Sequence, residues 1–248
     1  MKKLILMGFI ISTISYAEDF QVQTVGIAGK YYNTIYKANK DIIPVPLINL
    51  NYNRFSLNGV KPGFTLYEEE GFRFSAILDP LGGYFEGLTI KSKDMDKGLE
   101  YIEDRDSQFM YGLNIDFELS ENVFGNINYM FSKEGDKGEA YITYVGYLTD
   151  RLVILPTISA KYYSHDFVNY YFGVTQKEVN LNKKLDKTYQ GNNSFNLGVS
   201  ITAEYSITEQ CIISTFAGYE YFDEEITNSP LLDKESQTYY GIGFRYSF

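Results

Sequence analysis

The sequence predicts an all-β protein: an antiparallel transmembrane β-barrel of about twelve strands, with short periplasmic turns and longer extracellular loops. Three observations predict it. The chain opens on an export leader, its long alternating segments set one apolar face against a small or polar one, and its connections alternate between short and long.

The leader comes first. Lys2 and Lys3 form a basic start, residues 4–14 are apolar, and Ser15-Tyr16-Ala17 supplies the small residues a signal peptidase needs. Residues 1–17 are therefore expected to be removed after Ala17, leaving residues 18–248 as one outer-membrane barrel. The apolar run is shorter than the roughly 20 residues of a spanning helix. The formal charge of the 248 residues is -10, which becomes -12 without Lys2 and Lys3. A balance this acidic argues against nucleic acid as a partner. Cys211, the single cysteine, rules out an internal disulfide framework. Tyrosine (24) and phenylalanine (18) are abundant and tryptophan is absent; tyrosine, apolar in its ring and polar at its tip, suits the girdles where a membrane meets water.

The clearest strand spans residues 195–207. Phe195, Leu197, Val199, Ile201, Ala203, Tyr205 and Ile207 make one face, opposed by Asn196, Gly198, Ser200, Thr202, Glu204 and Ser206. A stripe this long, with an acid on the other side, fits a lipid face and a wet lumen. The same alternation runs through residues 109–119, 123–131, 152–162 and 211–221. Residues 20–31, 43–52, 55–67, 72–79, 84–91 and 141–148 are further candidate strands. The last strand, residues 239–248, sets Tyr240, Ile242, Phe244, Tyr246 and Phe248 against Gly241, Gly243, Arg245 and Ser247, and closes the count at twelve.

Connection lengths sort by parity. The turns near residues 120–121, 149–150 and 208–209 are tight, whereas residues 132–138, 164–193 and 223–237 are longer and polar; outer-membrane barrels place such turns in the periplasm and such loops outside. The charged stretch 93–106 fits an outside loop or a segment folded over the lumen.

Sites of chemistry are sparse. His165, the only imidazole, lies in Ser164-His165-Asp166, but neighbours on an extended segment point opposite ways and no nucleophile-elbow frame surrounds them. Neither zinc composition nor calcium-loop spacing is present, although Asp94, Asp96, Glu103, Asp104 and Asp106 supply oxygens. No catalytic, cofactor or metal residue is assigned, and an enzyme is not expected. The aromatic cluster Tyr162, Tyr163, Tyr170, Tyr171 and Phe172 reads as an interface girdle, with an adhesive rim as the alternative.

Pro44-Val45-Pro46-Leu47-Ile48 leading into Tyr52, Arg54 and Phe55, then Gly98-Leu99 with Arg105-Asp106, Ser159-Ala160-Lys161-Tyr162, Tyr170-Tyr171-Phe172-Gly173-Val174, Ser229-Pro230 and the glycine and aromatic last strand follow in an order that resembles the MipA/OmpV family, the MltA-interacting outer-membrane proteins. The resemblance spans most of the mature chain, and it implies an outer-membrane barrel without catalytic residues. It also implies, as for one family member, a scaffold joining a lytic transglycosylase to a murein synthase. A small passive channel or an adhesin is the alternative expectation. Lipid and lipopolysaccharide are the expected surroundings. Gly241, Gly243, Tyr246 and Phe248 further resemble the C-terminal signal by which the barrel-assembly machinery recognises its clients.

Overall fold

The computed structural model describes residues 21–38 and 41–248; the leader and its cleavage site after Ala17 lie outside the described residues. In chain order the strands are β1 (Gln21–Tyr32), β2 (Asp41–Tyr52), β3 (Phe55–Asn58), β4 (Lys61–Glu69), β5 (Phe72–Gly82), β6 (Gln108–Ser120), β7 (Val123–Phe131), β8 (Lys137–Tyr144), β9 (Gly146–Tyr147), β10 (Leu152–Tyr163), β11 (Ser194–Ser206), β12 (Cys211–Tyr221) and β13 (Ser236–Ser247). β8 and β9 are two parts of one stave. Both pair with β10, and the break at Val145 lies opposite Leu155 and Pro156, where a proline has no N–H to donate to a ladder. Val145 instead donates its N–H to the Asn122 carbonyl, 2.8 Å away.

The staves form a closed, antiparallel, twelve-stave barrel. β13 pairs with β1 from Tyr239↔Tyr32 to Ser247↔Thr24, so the last strand seals the sheet and no free edge remains at that seam. The faces follow the sequence reading. Phe195, Leu197, Val199 and Ile201 are exposed, as are Tyr240, Ile242 and Phe244, while Asn196, Glu204 and Arg245 are buried inside. A belt of exposed large apolar side chains around the wall is the surface a hydrocarbon solvent requires. Near its outer edge the rings of Tyr111, Phe131, Tyr129, Tyr162 and Phe195 follow one another at 5.1–6.3 Å, and Tyr31 meets Tyr240 at 4.8 Å.

Twelve staves are found as expected, although two assignments inside that number change. Residues 55–67 are a hairpin, β3 and β4, turning at Gly59 (φ 60°) and Val60. Glycine takes the first place of a two-residue loop because that place needs positive φ. Residues 84–91 are not a strand. Glycines of positive φ, Gly83 and Gly87, bend this stretch, and its apolar Leu88 and Ile90 are buried in the cap described below instead of facing lipid. The short connections at residues 53–54, 70–71, 121–122, 148–151 and 207–210 all lie at the end that holds β1's start and β13's end; the two-residue turn at 59–60 is the exception and points the other way.

Candidate functional site

The long connections at the other end are not solvated loops. Ile35 and Tyr36 from the first, Leu88, Ile90, Met95, Leu99 and Ile102 from the second, Phe167, Val168, Tyr171, Phe172 and Leu185 from a third, and Phe222, Ile226, Leu231 and Leu232 from the last form one buried apolar cluster over Met110, Met130 and Tyr163 of the wall. This cluster caps the outer mouth. Residues 164–193 supply its scaffolding as two short helices, α1 (His165–Phe172) and α2 (Gln176–Leu181). α1 buries Phe167, Val168, Tyr171 and Phe172, the i, i+1, i+4, i+5 positions of one helical face. The expected girdle role therefore holds for Tyr162 alone. Tyr163, Tyr171 and Phe172 are fully buried: strand alternation at the end of β10 turns Tyr163 inward, and the helix that follows Ser164 turns Tyr171 and Phe172 into the cap.

Polar bonds stitch the cap. Tyr36 donates its hydroxyl to the Leu88 carbonyl (2.8 Å), and Ser229 donates to the Phe172 carbonyl (2.6 Å). Arg105 and Glu178 form a buried ion pair at 2.9 Å, and the same guanidinium donates to the Gly173 carbonyl at 2.9 Å. Glu178 also accepts the backbone N–H of Glu103 (2.9 Å) and of Thr175 (2.7 Å), the latter closing a capping box at the start of α2. Burial pushes the Glu178 carboxyl up, but these N–H bonds and the guanidinium outweigh it and hold it below the usual carboxylate range.

Ser164, His165 and Asp166 are placed by the same construction. The Ser164 hydroxyl accepts the N–H groups of Phe167 and Asp136, capping α1. His165 Nδ1 lies 2.8 Å from the Gly191 carbonyl. Asp166 is exposed. The Ser164 hydroxyl and the His165 ring thus hold the fold of this loop through separate contacts. Three acids of residues 93–106 are held by cations: Lys91 pairs with Asp104 (3.2 Å) and with Asp106, and Lys177 pairs with Glu103 (3.2 Å).

Beneath the cap the lumen is filled unevenly. On the β10–β13 side, Tyr239 lies over Gly218 and Phe216 over Gly241, so close that a Cβ at either glycine would come within 2.2 or 2.3 Å of the ring. Glu204 and Arg245, buried and 2.6 Å apart, close the layer below. Phe124, Val145, Val153, Leu155 and Ile212 pack toward the periplasmic end. On the β2–β7 side the lumen holds a cavity of about 380 Å³. Arg73 pairs with Asp116 at 2.5 Å, Lys61 with Asp79 at 3.2 Å, and Asn114, Asn126 and Asn128 form an amide ladder at 2.8–3.1 Å. The turn at residues 84–87 dips into the lumen as well: Lys30 donates to the Phe85 carbonyl (2.8 Å), and Lys137 pairs with Glu86. The sequence reading missed this insertion, whose signal was the paired glycines 83 and 87.

Residues 25–248 match the model of the MltA-interacting protein MipA family. The chain belongs to that family. Among relatives, the 24 kDa outer membrane protein of Pasteurella multocida (strain Pm70) is 28% identical over 255 residues, covering 98% of this chain and 96% of that one. The MltA-interacting protein of Escherichia coli (strain K12) is 25% identical over 259 residues, with 99% and 98% covered. This family member is an outer-membrane protein. Among solved structures, the NanC porin shares 8% identity at a TM-score of 0.44, with 90% of this chain and 100% of the porin covered; the likeness is one of barrel form.

Gly241, Gly243 and Tyr246 lie along β13, and Phe248 follows its last residue. Gly241 and Gly243 face inward, where a Cβ at Gly243 would meet Ala28 at 2.7 Å. Tyr246 and Phe248 face outward with their rings 5.0 Å apart, edge to face. Close packing against β1 and β12 thus accounts for both glycines, beside any part they play in assembly.

Proposed function

We propose that the protein is a non-enzymatic, non-conducting barrel that serves as a scaffold, holding a murein-remodelling enzyme at the periplasmic face of the outer membrane. The observation that carries this reading is the apolar cap: a mouth filled by buried Tyr36, Leu99, Phe167 and Phe172 offers no wetted path for solutes, which speaks for a structural role over a passive channel. The periplasmic rim favours a docking role. Glu68, Glu69, Glu70, Glu118, Glu121, Asp150 and Glu209 are exposed there, against Arg54 and Arg151, an acidic ring suited to steer a partner with a basic face. The E. coli relative is named for an interaction with MltA, and we carry to this chain a lytic transglycosylase, with or without a murein synthase.

Affinity capture from detergent-solubilised envelopes tests the reading. Recovery of a lytic transglycosylase is expected, together with its loss in a variant carrying Glu68→Lys, Glu69→Lys and Glu70→Lys. Capture that returns no cell-wall enzyme, or steady single-channel conductance of the intact barrel in planar bilayers, overturns it; conductance would point to the channel.

A further inference from the structure

The barrel wall has an opening on its side. β2 pairs with β3 only through Asn49↔Asn58 to Tyr52↔Phe55, because β3 is four residues long. β4 and β5 part above Gly63↔Ile77. Among the described residues no strand pairs with Asp41 to Ile48 of β2 on that side, or with Leu78 to Gly82 of β5 facing it. The opening lies at membrane depth. Ile42 is level with Tyr31 of the outer aromatic belt and Leu78 with Tyr111, and Pro44 and Pro46 sit below, opposite Gly29 and Ile27.

Four of the chain's six prolines border it: Pro44, Pro46, Pro62 and Pro80. Ile48 turns its carbonyl toward the β3–β4 hairpin, accepting the Gly59 N–H at 2.8 Å, and strand alternation turns residues 46 and 44 the same way. Prolines there remove N–H donors that would otherwise face the opening. An unpaired edge is tolerated at membrane depth only where it lines a cavity, and these prolines lower its remaining hydrogen-bond demand. They also leave a partner strand little to bond, which excludes strand addition as the use of this edge.

The cavity meets the unpaired edge of the wall at this point. Its lining includes Val45 and Leu47 from the inner face of β2 and also Pro46 and Ile48 from the outer face. Outside, Ile27, Gly29, Ile42, Pro44, Ile242 and Phe244 line an apolar groove that shares Ile42 and Pro44 with the lip. The inner end is polar but has its cations taken, Arg73 by Asp116 and Lys61 by Asp79, while Glu139, Tyr141 and the asparagine ladder line the same space. We propose that this opening admits an outer-leaflet amphiphile whose acyl chain lies in the groove and across the lip and whose uncharged, hydroxyl-rich head enters the cavity to donate to Glu139 and the asparagines.

Because the chain has no tryptophan, single substitutions report one place each. Phe85→Trp and Ile77→Trp put reporters in the cavity, Leu113→Trp on the lipid face, and Phe216→Trp in the lumen against Gly241, away from the opening; each is used only once its barrel shows heat-modifiable folding. In phosphatidylcholine nanodiscs doped with a glucosyl diacylglycerol brominated near the head-group end of its acyl chains, both cavity reporters are expected to be quenched, less than Leu113→Trp on the lipid face but clearly more than Phe216→Trp. Quenching of both cavity reporters only to the Phe216→Trp level overturns the portal. In unbrominated discs, decyl maltoside is expected to shift Phe85→Trp emission at a concentration about tenfold below that needed with decyl phosphate. An equal or reversed order overturns the assignment of the head group.

Discussion

Arg105 and Glu178 are 73 positions apart in sequence, and only the folded cap brings them together, buried and 2.9 Å apart. Because the Glu178 carboxyl is held below its unfolded value, it stabilises the cap fully above that value, about 4.3, and the contribution is lost as pH falls through the lower folded value. Hydrogen-exchange protection of α2, corrected for intrinsic rates, is expected to stay level from neutral pH down to the ordinary carboxylate range and then drop. In Glu178→Gln that acid-dependent drop is expected to disappear. Truncation is harsher than neutralisation: Glu178→Ala leaves a buried guanidinium without its carboxylate and is expected to cost the cap about 3–5 kcal/mol. Lys91→Ala, which removes a pair with Asp104 that is open to solvent, is expected to leave the cap's protection unchanged. The contrast is readable as loss of protection in the first variant alone. Arg105 was visible in the sequence as part of a family-like motif, but its role was not, since local spacing carries no information about a partner on another loop.

Among the elements, the long alternating strands were legible and the loops were not. β11 and β13 repeat an apolar residue at every second position, and a strand must place such a set on one face. Residues 84–91 alternate too, yet face the cap, because alternation names a face without naming the solvent beyond it. The β3–β4 turn was legible and overlooked: a glycine opening a two-residue loop, as in Gly59-Val60, is a hairpin signal. α1 was hidden by its brevity, eight residues within a stretch rich in asparagine and lysine. Two predictions belong here. Replacing residues 164–193 by a short glycine-serine turn removes α1 and α2 from the cap, and planar-bilayer recordings are expected to gain discrete conductance steps absent from the intact chain. Deleting Phe248, which follows β13 and donates its N–H to the Gln23 carbonyl of β1, is expected to lower the amount of heat-modifiable barrel recovered from the outer membrane; normal yield would argue against an assembly signal in Gly241, Gly243, Tyr246 and Phe248.

At the scale of the whole molecule, the protein is a wall built for lipid around an interior that is packed on one side and hollow on the other. Ion pairs such as Glu204–Arg245 and Lys161–Glu220, both at 2.6 Å, cross between staves and tie the interior together where water is excluded. The periplasmic rim exposes Glu68, Glu69, Glu70, Glu118, Glu121, Asp150 and Glu209 against Arg54 and Arg151. If that rim steers a basic partner, the association rate with the captured enzyme is expected to fall steeply as ionic strength rises from 0.05 to about 0.2 M, with little change in dissociation, measured by surface-immobilised barrels.

The sequence by itself determined the barrel, its faces and the direction in which its connections point, because a period of two and the spacing of turns are local properties that lipid and water read one strand at a time. The tertiary structure alone decided what the long loops do and where the wall parts. A loop's apolar residues acquire a core only when four loops meet over one mouth, and a proline opposes or borders a gap only once the register of its neighbours is known.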